Sequence, residues 1–251
     1  QVGQVSESSA STMQHYNGTD WKNFVNVAQC TTTTCDYPTT ATLLYQMESN
    51  GGSANAVPDT CSNYNATSVN VTYATGKYGN AGVFDGSSSI ININKSAVNA
   101  AAAYTISMWF NADTASSYEG FYTGISLPTV VGEIAIVKNN ATTIQTFSVQ
   151  TNGSNNLNAN TVTVPTLSSG TWYNLVVIAD RSLNPYRSRL FINGVEGTNY
   201  TTGVASTSRL SEIKVGLADN NYFDGSIDQV RFFPSALNQT QITKLANEVG
   251  C

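Results

Sequence analysis

The side chains able to do chemistry are few and widely spaced. The single histidine, His15, lies in a polar N-terminal stretch. A Ser-His-Asp or Cys-His arrangement needs an imidazole held firmly against its nucleophile, so such catalysis has no rigid element to supply it. Glycoside hydrolysis needs two carboxyl groups, about 5 Å apart for retention or roughly 6.5–9.5 Å apart for inversion. Glu119, Glu133, Glu196 and Glu212 stand alone in sequence, and each reads as a surface or loop-edge charge. Two stretches offer oxygens to a hard cation. The run Asp219-Asn220-Asn221-Tyr222-Phe223-Asp224-Gly225 lacks the alternating ligands and closing Glu of an EF-hand, and Phe84-Asp85-Gly86 precedes a strand, so both read as turns. Asp228 differs. It shares strand parity with Val230 and Phe232, which places an acid on an inward face where it needs a cation or hydrogen-bond donors. For sugar stacking, the best-clustered rings are Tyr118, Phe121 and Tyr122, in a long connection spanning 111–132. Packing beneath their own loop is the competing use of those rings.

Composition narrows the function classes. Lys and Arg total 11 against 16 for Asp and Glu, a net charge of -5, and the cations are scattered singly. Tracking phosphates requires clustered cations, so nucleic acid is not the expected partner. No apolar run approaches the roughly 20 residues of a membrane span, which argues against membrane insertion. The start, Gln1-Val2-Gly3-Gln4, does not read as a signal peptide and, lacking Met, points to a processed chain. Four cysteines, Cys30, Cys35, Cys61 and Cys251, allow two disulfides in three connectivities; none forms a C-x-x-C pair. An even, sparse set in a chain rich in Ser, Thr and Asn fits an oxidising, extracellular setting, with buried free thiols as the alternative. Sequons at Asn17, Asn65, Asn70, Asn94, Asn140, Asn152, Asn199 and Asn238 are about what so much Asn, Ser and Thr yields by chance, and carry no weight for localisation.

The elements that must position these residues are short strands. A chain of 251 residues accommodates one all-β core with an appendage. Residues 1–28 are polar and cannot bury a core; they read as an attachment and assembly segment. A Thr-rich linker follows over 29–42, and the main domain occupies 43–251. There the dominant period is two, as in Tyr104 to Phe110, where Tyr104, Ile106, Met108 and Phe110 share one face. Further strands are expected near 43–48, 69–73, 89–93, 133–138, 145–151, 161–164, 172–179, 187–193, 212–217 and 226–233. Asn193-Gly194 marks a tight hairpin. A helix is expected over 238–249, where Ile242, Leu245 and Val249 recur at helical spacing. The fold class is all-β, two antiparallel sheets in a jelly-roll sandwich, with Ile106, Met108, Trp172, Val176, Phe191, Val215, Val230 and Phe232 buried.

Four segments together resemble the laminin-G-like, or concanavalin-A-like, jelly roll. They are Gly76 to Gly86 leading into Ile90-Ile91-Asn92-Ile93; Tyr104 to Phe110; Gly170-Thr171-Trp172-Tyr173-Asn174 running on to Arg189 through Gly194; and Gly225-Ser226-Ile227-Asp228-Gln229-Val230-Arg231 closing with the helix. The resemblance covers about residues 43–249. It implies that the last strand runs antiparallel to the first, which makes Cys251 a partner for Cys30 or Cys35. It also implies a structural calcium, with Glu48 at the end of the first strand and Asp228 of the G-x-I-D motif as its carboxylates. Residues Met13 to Asn23 resemble repeat ends of bacteriophage fibre and appendage proteins. The expected function is therefore a non-enzymatic module on a virion surface or in an extracellular setting, in a fibre, appendage or capsid decoration. It would recognise a glycan or host-surface polysaccharide and join other virion subunits through residues 1–28, with a homo-oligomer compatible. A purely structural decoration protein and a polysaccharide-cleaving enzyme are the alternatives, since jelly rolls host all three roles.

Overall fold

A computed structural model describes residues 14–16, 21–23, 41–49, 55–61, 64–93, 103–115, 117–126, 131–148, 158–180, 187–197, 212–218 and 220–249. The strands before the first long one are β1 (Gln14–Tyr16), β2 (Trp21–Asn23), β3 (Leu43–Tyr45), β4 (Ala56–Val57), β5 (Ala66–Val69), β6 (Thr72–Thr75), β7 (Asn80–Asp85) and β8 (Ile90–Ile93). The middle of the chain supplies β9 (Ala103–Ala112), β10 (Glu119–Ser126), β11 (Val131–Asn140), β12 (Thr143–Ser148), β13 (Asn158–Thr163) and β14 (Tyr173–Asp180). Then come β15 (Arg187–Ile192), β16 (Val195–Glu196), β17 (Glu212–Val215), β18 (Leu217–Ala218), β19 (Asn221–Tyr222), β20 (Asp224–Phe233) and the helix α1 (Gln239–Ala246).

Two antiparallel sheets form the sandwich. The first runs β13-β12-β11-β10-β17-β8-β5-β4, and the second runs β16-β15-β14-β9-β20-β7-β6 with β3 also on β20. As alternation requires, Tyr104, Ile106, Met108 and Phe110 of β9 join Leu175 and Val177 of β14 and Ile134 and Ile136 of β11 in the core between the sheets. Each such side chain withdrawn from water contributes about 1.5–3 kcal/mol. Trp172, expected inside, is only half-buried, because it precedes β14 and lies outside its alternation. Asn193 and Gly194 both take positive φ, the mirror-image turn that joins β15 to β16. The segment 1–28 contains the β1–β2 hairpin, and its remaining residues lie outside the described ones. Ala41 and Thr42, at the end of the expected linker, already pack with the domain: Ala41 is buried, and Thr42 donates its N–H to the carbonyl of Phe232.

Helix α1 starts at a reciprocal cap, in which the Asn238 side chain accepts from the Gln241 N–H and the Gln241 side chain accepts from the Asn238 N–H. Ile242 and Leu245 pack with Val176, Ile178, Phe191 and Leu237 on the outer face of the second sheet. The helix is shorter than its periodicity predicted. It ends at Asn247, Val249 is exposed, and between them Glu248 turns back onto the sheet.

Two bulges reshape the alternation. In β10 the register with β11 shifts between Gly120 and Tyr122, so Phe121 and Tyr122 both enter the core. The stretch expected as a long connection is therefore in part a central strand. In β20 the register with β9 shifts between Asp228 and Arg231, and Gln229 takes φ 51° within that shift. Ile227 and Val230 consequently both face the core, and Asp228 does not share the face of Val230 and Phe232. It pairs with Trp109 on the outer face of the second sheet.

Candidate functional site: a carboxylate pair at the seam of the first and last strands

Strand β20 changes neighbour at its bulge. Residues 224–227 pair with β7, and 230–232 pair with β3. The backbone at Asp228 and Gln229 thus lies at a seam between the two, where the end of β3 and the hairpin tip joining β6 to β7 converge. Met47, with φ 60°, turns the chain so that Glu48 reaches that tip. There Glu48 Oε2 accepts the Asn80 N–H at 2.9 Å, and its carbonyl accepts from Asn80 Nδ2 at 2.9 Å. Asp228 Oδ2 accepts the Tyr78 N–H at 3.0 Å. Gly79 separates the two donors at φ 60°, and a Cβ there would lie 2.4 Å from both Glu48 carboxylate oxygens. The positive φ favours glycine, and any Cβ there would displace the Glu48 carboxylate from the tip.

Asp228 is fully buried, and its Oδ1 has no hydrogen-bond partner. Burial pushes its carboxyl up to about 7, opposed by the N–H groups of Tyr78, Gln229 and Lys77 and reinforced by the charge of Glu48. Two like-charged carboxylates, one carrying an orphaned buried oxygen and the other exposed, make an oxygen-only donor set suited to a hard cation. Among the described residues no group of three or more His, Cys, Asp or Glu could hold a metal ion. A calcium here would therefore draw its remaining ligands from carbonyls and water.

Beside this pair lies a second buried carboxylate, answered differently. Arg231 holds Glu248 through Nη1 at 3.0 Å and Nη2 at 2.8 Å, and Nη2 also donates to Gln229 Oε1 at 2.9 Å. Trp109 Nε1 donates to the same carboxylate, and the Tyr78 hydroxyl donates to the Glu248 carbonyl. The hairpin tip thus touches both acids. Lys77 Nζ sits 4.6 Å from the Trp109 ring centroid, a cation–π contact over the network. Nothing in the sequence pointed to this network or to Glu248, which lay in an expected helix.

The other expected site residues are dispersed. Phe121 and Tyr122 are wholly buried in the core, so their faces are not presented to a sugar; Tyr118 is half-buried against Ala135, Val137 and Ala218. Glu119 is no surface charge. It pairs with Lys138 at 3.1 Å, both buried, and Lys138 Nζ also donates to the carbonyls of Thr114 and Ser117. Burial pushes the Glu119 carboxyl up and the Lys138 amine down, each opposed by the other's charge. Glu196 is tied to Arg189 by two hydrogen bonds of 2.6 Å. Asp85 accepts three N–H groups from Ser87, Ser88 and Ser89, which makes Phe84-Asp85-Gly86 the turn it was expected to be. Asn220, at φ 59°, lies in the turn of the β18–β19 hairpin. Cys61 is buried and disulfide-bonded, while Cys30, Cys35 and Cys251, with the pairing expected for them, lie outside the described residues.

Comparison with known proteins accords with this architecture. Domain 4 of AbnA, a GH43 extracellular arabinanase from Geobacillus stearothermophilus solved with arabinotriose, superposes with a TM-score of 0.58 at 20% identity, covering 83% of this chain and 98% of that one. The receptor binding domain of botulinum neurotoxin type G gives 0.60 at 15% identity, over 82% of this chain and 51% of the other. A Trypanosoma rangeli sialidase gives 0.59 at 10% identity, over 83% and 33%. The chain thus spans about half of the neurotoxin domain and a third of the sialidase, and at these identities the likeness shows the fold. No curated protein sequence matches. The family model described as Concanavalin A-like lectin/glucanases superfamily matches residues 85–243, well over half the chain, and the chain belongs to that laminin-G type family.

Proposed function

We propose that the chain is a non-catalytic glycan-recognition module displayed on an extracellular or virion surface. The observation that carries this reading is the match to nearly the whole of an arabinanase domain that was itself solved with arabinotriose. The composition supports it: only 11% of residues are charged, and amides, hydroxyls and 13 tyrosines suit a polyhydroxylated partner. The described acids support it too. Glu119, Glu196 and Glu248 are each bound to a cation of the protein, an arrangement that favours structure over acid and base work. Residues 1–28 join the module to other virion subunits; this reading rests on the resemblance of Met13 to Asn23 to phage fibre repeat ends. Calcium held by Glu48 and Asp228 serves structure. Bound there, it would neutralise the carboxylate pair and tie the end of β3 to β20.

Binding of the full chain to a glycan array and to isolated cell-envelope polysaccharides tests the proposal. Saturable binding with the polysaccharide recovered intact is expected. Absence of binding to every glycan would favour a purely structural decoration role, and shortened polysaccharide chains would favour the enzyme; either result would overturn the reading.

A further inference from the structure

The outer face of the second sheet carries more polar atoms around Glu248 than Glu248 uses. Two rows cross β14, β9 and β20 there. In one, Asn174 stands opposite Trp109 and Trp109 opposite Asp228; in the other, Val176 stands opposite Ser107 and Ser107 opposite Arg231. The Cβ atoms of facing residues lie about 4.5–5.5 Å apart, so Asn174 and Ser107 adjoin Trp109 and Arg231, the two side chains that hold the Glu248 carboxylate. Asn174 and Ser107 are fully buried, and among the described residues Asn174 Oδ1, Asn174 Nδ2 and Ser107 Oγ have no hydrogen-bond partner. Leaving such atoms unpaired out of water is costly, so the pocket suits an occupant with more polar groups than one carboxylate. The present occupant arrives on a short tether. Helix α1 is seated by Ile242 and Leu245 and closes at Asn247, whose N–H turns back to the Thr243 and Lys244 carbonyls. Glu248 is the next residue, and Val249 after it is 87% exposed.

We infer that this pocket is a binding site for the carboxylate of an acidic sugar residue and that Glu248 fills it in cis. The inference rests on the glycan-recognition reading and names a sugar class and a subsite for it. Arg231 and Trp109 supply donors fixed on neighbouring strands, the Arg231 fork matching a carboxylate. Asn174, which can both donate and accept, and Ser107 stand where the hydroxyls of the same sugar ring would meet them. Movement of the residues after Asn247 admits the sugar while the apolar seat of α1 stays in place. Glu248 is then a built-in competitor, and the apparent affinity of the chain falls with the fraction of time that it occupies the pocket.

Thermal unfolding of full-length Glu248→Ala in sodium glucuronate, sodium acetate and glucose, at constant ionic strength, tests this. The substitution empties the pocket and leaves Arg231 without its counter-charge, so a solute that enters raises the melting temperature. A saturable rise is expected with both carboxylates and none with glucose. Glucuronate should reach half its effect at about a tenfold lower concentration than acetate, because it adds bonds to Asn174 and Ser107. Adding Asn174→Ala should bring glucuronate back to the acetate value. Should Glu248→Ala be unfolded in buffer alone, the fraction that regains native circular dichroism in each solute is the readout, with the same ranking expected. No response to either carboxylate, an equal response to both, or a glucuronate preference that survives Asn174→Ala would overturn the inference. Glycan-array binding by the wild-type chain would leave the recognition reading standing in each of those cases, so the two fail separately.

Discussion

Asp228 and Glu248 lie on the same outer face of the same sheet, both out of water and both touched by the Tyr78 hairpin tip, yet the protein treats them in opposite ways. Glu248 receives two guanidinium nitrogens and an indole N–H. Asp228 receives backbone N–H groups on one oxygen, none on the other, and has a second carboxylate as its electrostatic neighbour. A buried charge is tolerable only when it is paired or bound to a cation. The first acid meets that condition with a side chain of the protein itself, whereas the second keeps its proton up to about pH 7. The contrast teaches that burial of an acid says little about its role until the identity of its partners is known.

The comparison can be broken most forcefully from the closed side. Arg231→Ala should destabilise the domain by about 3–5 kcal/mol, because it strands Glu248 without its cation. Urea unfolding of the metal-free protein measures this, and a loss under 1 kcal/mol would mean that Glu248 escapes to solvent. The double variant Arg231→Ala with Glu248→Ala should recover part of the loss.

The open side predicts a pH effect of defined sign. With calcium chelated, the folded state holds the Asp228 proton up to about pH 7, while an unfolded carboxyl loses it near 4. Between these values the native state binds more protons, so stability is full below pH 4 and falls as the pH rises to 7, by on the order of 4 kcal/mol. Asp228→Asn should flatten that slope in chelated protein. A smaller expected effect concerns the hinge between the two acids. Gly79→Ala must force a Cβ against the Glu48 oxygens and a left-handed backbone onto alanine, at a cost of about 1–2 kcal/mol. It should also weaken any calcium response while leaving the Arg231 and Glu248 pair intact, which near-ultraviolet circular dichroism of Trp109 would report.

Much of this architecture was legible from alternation alone, and the failures have identifiable causes. Strand β9 showed its pattern openly because every second residue faces the core over its whole length. Strand β10 was hidden because its bulge places Phe121 and Tyr122 inward together, which erases the period of two and makes core residues look like a loop cluster fit for sugars. The burial of Asp228 was anticipated, but on the wrong face, since the inserted residue is Gln229, and a glutamine gives no sign of the positive φ that glycine or asparagine would announce. Glu48 was singled out through family resemblance only; nothing local marks an acid whose charge acts on a carboxyl 180 residues away. Glu248 was missed because a helical period was extended across a residue whose partners lie in distant strands.

Calorimetric titration of calcium into chelator-treated full-length protein, with thermal unfolding measured in parallel, tests most directly whether Asp228 was left open for a cation. Uptake at one site is expected, with a rise in melting temperature corresponding to about 2.7 kcal/mol when calcium reaches a hundred times its dissociation constant. Both signals should vanish in Asp228→Asn and weaken in Glu48→Gln. No heat of binding and an unchanged melting temperature in the wild-type protein would contradict the account.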